Sequence, residues 1–253
     1  MKIINVVVCI FLLSAICAAQ QTAKDFDRAG SMFYSFKNYT GALDYFNKSL
    51  DKDPNNIDTL VRQGDTLKAL KEYNASIDSY NKALKLNSSN VAALSGLTDS
   101  YIAFKDYTNA LNTVTKANGL NPKIKTNWVK EGQLLQLQGR FEEASTSFER
   151  ALALDKNYSD AFYRNGLSAM ALGNNSQAMN LFNETLAISP QSKVTYNAKG
   201  LALEAEGKYA DALVAYDNAL KIDPTYNSAL SNRMHVLLAL KKENEALKIF
   251  VKI

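Results

Sequence analysis

Few residues in this sequence have both the type and the spacing needed for chemistry. His235 is the sole histidine. As a general base it needs a serine, aspartate or glutamate at a motif spacing, and none accompanies it. It reads as a solvated or groove-lining imidazole. Both cysteines, Cys9 and Cys17, precede Ala19, so a chain starting at Gln20 holds no thiol for a disulfide, a metal or a nucleophile. The sequence contains no G-x-x-x-x-G-K-[ST], H-E-x-x-H or G-x-S-x-G motif, which removes the common phosphate-loop, zinc-protease and esterase chemistries. Glu142 and Glu143 open a helix, where carboxylates complement the helix dipole. No cofactor or metal is expected, and the chain is not expected to be an enzyme.

Two further patterns have a functional and a plain reading. Lys48, Lys82, Lys116, Arg150 and Lys252 share one register, either as a stripe for phosphates or anionic lipid or as the cations usual near helix C-termini. N-x-[ST] sequons occur at Asn38, Asn47, Asn74, Asn87, Asn157, Asn174 and Asn183, and on an exported chain they are potential glycan acceptors.

Composition narrows the frame that must position these residues. The chain has 253 residues, 47% of them hydrophobic, with 11 Gly and 4 Pro, which argues against disorder and collagen-like structure. Its 29 Lys+Arg and 25 Asp+Glu are dispersed, so no basic patch points to nucleic acid. Residues 1–19 run from Met1 and Lys2 through an apolar stretch, Ile3 to Ile16, to Cys17-Ala18-Ala19. That layout is a secretory signal cut after Ala19. If retained as an anchor, a helix from Ile3 to Ala19 would reach about 25 Å, short of the roughly 30 Å hydrocarbon core. A lipid on Cys17 is a third reading, poorly served by the bulky Ile16 before it. Each places residues 20–253 outside the cytoplasm: secreted, periplasmic or in the cell envelope, with membrane contact only through residues 3–19 if they stay.

Residues 20–253 follow a 34-residue period. The prolines Pro54, Pro122, Pro190 and Pro224 are 68, 68 and 34 apart, and a period of this size signals repeat architecture. Steps of 34 from Gly30 reach Gly64, Thr98, Gly132, Gly166, Gly200 and Met234. From Ala42 they reach Ser76, Ala110, Ala144, Ala178, Ala212 and Ala246, and from Phe46 they reach Tyr80, Val114, Phe148, Phe182, Tyr216 and Phe250. In the sixth unit Tyr196, Gly200, Leu203, Gly207, Tyr209, Ala212, Tyr216, Ala219 and Pro224 stand at the signature places of a known family. The sequence resembles the tetratricopeptide repeat family, with units starting at Ala23, Ile57, Val91, Lys125, Ser159, Lys193 and Asn227, the last incomplete.

The resemblance implies an all-α, right-handed α-solenoid of antiparallel helix pairs. In the sixth unit the helices are expected near Ser192 to Ala205 and Ala210 to Ile222. A mid-helix glycine costs roughly 1 kcal/mol against alanine, so the Gly30 column implies close helix approach. The Ala42 column is expected to face it, with the Phe46 column one turn further along. Gly139, Gly173 and Gly207 fall between paired helices, where a C-terminus favours positive φ. Gly41, Gly96 and Gly119 lie outside the columns. Units three and seven, with Thr98, Val114 and Met234, are expected to pack less closely.

In the family the first helices line a concave face that binds a peptide or partner protein. The matching residues here are Asp27, Ser31, Tyr34, Val61, Arg62, Asp65, Lys68, Ser95 and Asp99, a polar and acidic half. Lys130, Gln133, Gln136, Tyr163, Arg164, Leu167, Met170, Asn197, Leu201, Glu204, His235 and Leu238 then form a half richer in apolar side chains. Those apolar residues either anchor a partner or pack within the solenoid. Family members that grip a chaperone's C-terminal carboxylate use Lys, Asn and Arg at set places. Here those places hold Asp27, Ser31, Arg62, Ala92 and Gly96, so such a grip is not expected. The last unit ends without a capping helix, and Met234, Leu237, Leu240 and Leu247 are expected to dock on another copy or a partner. Together these point to a non-catalytic interaction scaffold. The alternatives are a membrane-anchored assembly factor for an envelope complex or an accessory subunit of a glycan-modifying enzyme.

Overall fold

A computed structural model describes residues 21–250. The leader reading, both cysteines and Lys252 lie outside the described residues. Among these residues the chain is all-α, with α1 (Ala23–Ser35), α2 (Tyr39–Lys52), α3 (Ile57–Ala69), α4 (Tyr73–Leu86), α5 (Val91–Phe104) and α6 (Tyr107–Leu120) in a first compact unit that ends at Asn121. A second unit begins at Pro122 and holds α7 (Lys125–Leu137), α8 (Phe141–Leu154), α9 (Ser159–Ala171), α10 (Asn175–Ile188), α11 (Lys193–Ala205), α12 (Tyr209–Ile222), α13 (Asn227–Ala239) and α14 (Glu243–Phe250). Within each unit every odd-numbered helix packs on the helix that follows it, and each pair stacks on the next. A single pair cannot bury its apolar stripe alone, so stacking supplies the core.

Local chemistry sets the helix starts. Thr22 and Asp25 form a reciprocal capping box at α1, and Asn56 and Asn90 cap α3 and α5 by accepting from the N–H groups of Thr59 and Ala93, satisfying donors a helix start leaves open. In the sixth repeat α11 starts at Lys193, because Ser192 is its cap, and α12 starts one residue before the expected Ala210, at Tyr209. In the second unit a lysine clip ties the start of the repeat to its end in two of the repeats. Lys125 donates to Asp155, at the end of α8, and lies over the Tyr158 ring ahead of α9. Lys193, Asp223 and Tyr226 repeat this arrangement. In the repeat between them the same places hold Ser159, Ser189 and Ser192.

The turns inside the pairs carry more strain than the glycines alone announce. Gly139, Gly173 and Gly207 have φ of 73°, 78° and 73° as expected, but Lys37, Lys71, Lys105 and Lys241 take the same left-handed conformation with φ between 59° and 65°. A non-glycine residue there costs roughly 1–2 kcal/mol. The surrounding helices impose it: at Lys71, for example, its N–H reaches Lys68 O and the next N–H, of Glu72, reaches Leu67 O, closing α3 as a left-handed cap does.

The close approach between paired helices also differs in detail from the sequence expectation. The aromatic ring itself, rather than the alanine, fills the space over the glycine: a Cβ added at Gly132 would lie 2.6 Å from the Phe148 ring. Gly96, outside the columns, plays the same part across a joint, because a Cβ there would lie 2.5 Å from the Tyr80 hydroxyl of the preceding repeat. The third repeat is not loosely packed. Thr98 and Val114 are both buried, the larger Thr being matched by the smaller Val, and Thr98 Oγ1 donates to Leu94 O at 2.9 Å. At the far end Leu237 is fully buried with Leu230, Ala246 and Ile249, and Met234 packs against them. Leu237 is therefore core rather than docking surface, whereas Leu240 and Leu247 remain exposed.

Candidate partner-binding site

In the first unit the outward side of α1, α3 and α5 carries a compact polar network. Arg62 Nη1 donates to Asp27 Oδ2 at 2.6 Å, and Thr59 Oγ1 to Asp27 Oδ1 at 2.9 Å. Lys68 Nζ sits 3.3 Å from Asp65 and 3.5 Å from Asp99. The Tyr80 hydroxyl donates to Asp65 Oδ1 at 2.6 Å. Burial, then the Asp65 charge, pushes the ionisation of Tyr80 far up, which keeps it a neutral donor. Ser31, Tyr34, Arg62 and Asp65 line a depression of about 210 Å³ with Phe46 at its wall. Burial, reinforced by Asp65, also raises Tyr34. Four of the expected site residues, Tyr34, Arg62, Asp65 and Asp99, thus fall into one connected group.

The second unit arranges its face differently. Arg164 Nε donates to both carboxylate oxygens of Asp160, at 3.0 and 2.9 Å. With its amide oxygen turned toward the guanidinium, Gln133 accepts from the same Nε at 2.7 Å. Gln136 Nε2 donates to Arg164 O and to Ser168 Oγ, each at 2.9 Å. Lys130 is half-buried on α7. Asn197 is buried and accepts from Asn232 Nδ2 at 2.9 Å. Glu204 accepts from the Tyr216 hydroxyl at 2.9 Å and lies 2.9 Å from His235 Nδ1. Burial first, then the bond to Glu204, pushes Tyr216 up.

The apolar residues of this face divide. Tyr163, Leu167 and Met170 pack, half-buried, on a core of Ala169, Ala178, Phe182, Ala198 and Ala202, and the Tyr163 and Phe182 rings are 6.1 Å apart. Burial raises the ionisation of Tyr163 as well. Leu201 and Leu238 instead stay 36% and 50% exposed. Of the cation column, Lys48 is paired with Asp44 at 2.6 Å, and Arg150 stacks over the Trp128 ring at 4.7 Å. Among the described residues no three of His, Cys, Asp and Glu gather as metal ligands would, and no helix is long and apolar enough to cross a membrane.

Models of the tetratricopeptide repeat match residues 57–90, 129–193 and 194–226. The chain carries tetratricopeptide repeats. The crystal structure of MamA is 24% identical, covers 67% of this chain and 92% of its own, and superposes with a TM-score of 0.64. That of YrrB, described as a TPR protein with an unusual peptide-binding site, is 22% identical over 74% of this chain and 96% of its own, with a TM-score of 0.67. A tetratricopeptide repeat protein from Parabacteroides merdae is 18% identical over 91% of each chain, with a TM-score of 0.72. At these identities the likeness is one of fold. A search of curated proteins gave no match.

The tetratricopeptide frame explains which polar pairs meet and why the sequence hid one of them. The twelfth residue of one repeat reaches the ninth of the next, 31 residues on, as in Lys68 with Asp99 and Glu204 with His235. The fifth reaches the sixth of the next, 35 residues on, as in Asp27 with Arg62 and Asn197 with Asn232. The Glu204 partner of His235 was missed because its spacing belongs to no catalytic motif; only the repeat register signals it. His235 itself is 74% exposed at its side chain.

Proposed function

We propose that the chain is a non-catalytic, exported interaction scaffold that binds a peptide or partner protein on the first-helix faces of its tetratricopeptide repeats. The observation that carries this is the pair Leu201 and Leu238, left exposed beside the Glu204–His235 bond on α11 and α13. Exposed apolar side chains next to prepared polar groups are what interaction surfaces use. The nearby Tyr163, Leu167 and Met170 contribute as a firm half-buried floor, since their packing on the core limits their freedom before a partner arrives. The fold likeness to YrrB, a TPR protein with a peptide-binding site, supports the reading. Export rests on residues 1–19, and delivery by a signal cut after Ala19 fits a scaffold acting outside the cytoplasm.

The test is affinity capture from the native cell with the wild type and a Leu201→Glu, Leu238→Glu variant. Both residues are exposed, so the variant is expected to fold, as circular dichroism checks. A partner retained by the wild type and lost from the variant supports the proposal. Identical capture by both removes this face from consideration.

A further inference from the structure

The repeats account for nearly every residue the sequence singled out except the seven sequons. All seven asparagines are exposed, so exposure of the acceptor does not distinguish them. The hydroxyl two residues on does. A transferase must engage the asparagine amide and that hydroxyl together, and residues two apart on a helix do not share a face.

In α2, α4 and α10 the sequons Asn47, Asn74 and Asn183 place their hydroxyls in the core. Ser49 Oγ donates to Ala23 O at 2.8 Å, Ser76 Oγ to Gly64 O at 2.8 Å, and Thr185 Oγ1 to Leu181 O at 2.9 Å, and all three residues are buried. They are packing devices of the solenoid. Asn38 and Asn174 occupy N-cap positions with the hydroxyl already in the first helical turn, and Ser159, two after Asn157, is half-buried as the first residue of α9.

Asn87 is different on each count. It follows α4 with extended backbone, φ −141° and ψ 97°, and Asn87, Ser88 and Ser89 are all exposed. The Ser89 N–H donates to Asn87 Oδ1 at 3.0 Å, which folds the amide back toward the residue bearing the hydroxyl. Asp155 and Asp223 make the same turn in later repeats, but there the lysine that opens the same repeat clips the side chain in place. The place of that lysine is Ile57 in this repeat, so nothing of the kind ties Asn87 down.

We propose that Asn87 is the N-glycan acceptor of this chain and that Asn47, Asn74 and Asn183 are not acceptors. The inference rests on the export reading, since the donor it requires is a lipid-phosphate or lipid-pyrophosphate oligosaccharide outside the cytoplasm. Asn87 Nδ2 bonds to the anomeric carbon, and the anomeric C–O bond to phosphate breaks with its electron pair leaving on the lipid phosphate. One amide proton passes to a base of the transferase.

The experiment is intact-mass and glycopeptide mass spectrometry of the chain from its own cells, with N87Q and N74Q variants and N-terminal sequencing. The expected result is a chain starting at Gln20 whose added hexose-containing mass disappears in N87Q and persists in N74Q. A chain starting at Gln20 with Asn87 bare overturns the glycan and leaves export standing. Sugar on Asn47, Asn74 or Asn183 overturns the selection by folded geometry, and an unprocessed chain confined to the cytoplasm overturns export and glycan together.

Discussion

Gly132→Ala asks whether the aromatic ring or mere helix proximity makes this column small. The new Cβ would stand 2.6 Å from Phe148 Cε1 and 2.7 Å from Cζ. Carbon atoms need roughly 3.5 Å, so the ring or the helix must move by about 0.9 Å. Phe148 is 0% exposed, and a ring enclosed at protein density has nowhere cheap to go. Overpacking costs about 1–3 kcal/mol, and with three ring atoms at 2.6, 2.7 and 2.9 Å the upper part of that range, about 2–3 kcal/mol, applies, while alanine returns roughly 1 kcal/mol of helix propensity. The net expectation is a loss of about 1–2 kcal/mol. Gly119→Ala is the control: it lies within α6, and no atom would come within 4 Å of its Cβ, so only the propensity gain of up to about 1 kcal/mol remains. Urea unfolding followed by circular dichroism reads both. With a slope of about 2 kcal/mol/M, Gly132→Ala lowers the midpoint by roughly 0.5–1 M and Gly119→Ala raises it by up to about 0.5 M. Repeat arrays open locally as well as globally, so hydrogen exchange in α7 and α8 should accelerate in the first variant alone. A Gly132→Ala protein as stable as the wild type would show that the ring has room and that the column is small for another reason.

Three further expectations are equally direct. Lys71→Gly relieves a left-handed lysine at φ 65° and should stabilise by up to about 1 kcal/mol, the relief exceeding the extra chain entropy of glycine; thermal melts check this against Lys82→Gly within α4, which should instead destabilise by about 1 kcal/mol. The hydrogen bond from Lys193, helped by Thr225, holds the Asp223 carboxyl down at about 2; because the folded value lies below the usual 3.8, this stabilisation is complete above about pH 4 and is lost as pH falls toward 2, and a Lys193→Met variant should lose that acid dependence in hydrogen exchange around α11 and α13. A free acidic C-terminal peptide should not bind tightly, because Arg164 is already engaged by Asp160 and Gln133; submicromolar binding by calorimetry that Arg164→Ala abolishes would refute this.

The frame was legible because a solenoid spends its sequence on nearest-neighbour packing, and each repeat must solve the same problem. Pro190 and Pro224, the Gly132 and Phe148 columns and the turn glycines all carry that constraint in residue type. What stayed hidden were places where context overrides type. Lys37, Lys71, Lys105 and Lys241 are forced left-handed by the helices they join, and nothing in a lysine announces it. Gly96 lies off the main column because it serves a ring from the preceding repeat. On the candidate face, Leu167 and Leu201 stand 34 residues apart in one register, yet the first packs on the Phe182 core and the second is exposed. That difference arises from neighbouring repeats, so a register taken alone left both readings open.

The alternation of the lysine clip gives the second unit repeats of unequal firmness. The repeats that start at Lys125 and Lys193 fasten the beginning of their first helix to the end of their second with an ion pair and a cation over a ring, whereas the repeat between them has Ser159, Ser189 and Ser192 at those places. Pulled along its stack, that repeat should splay open before the two that flank it, so that the unit yields like a chain with one softer link.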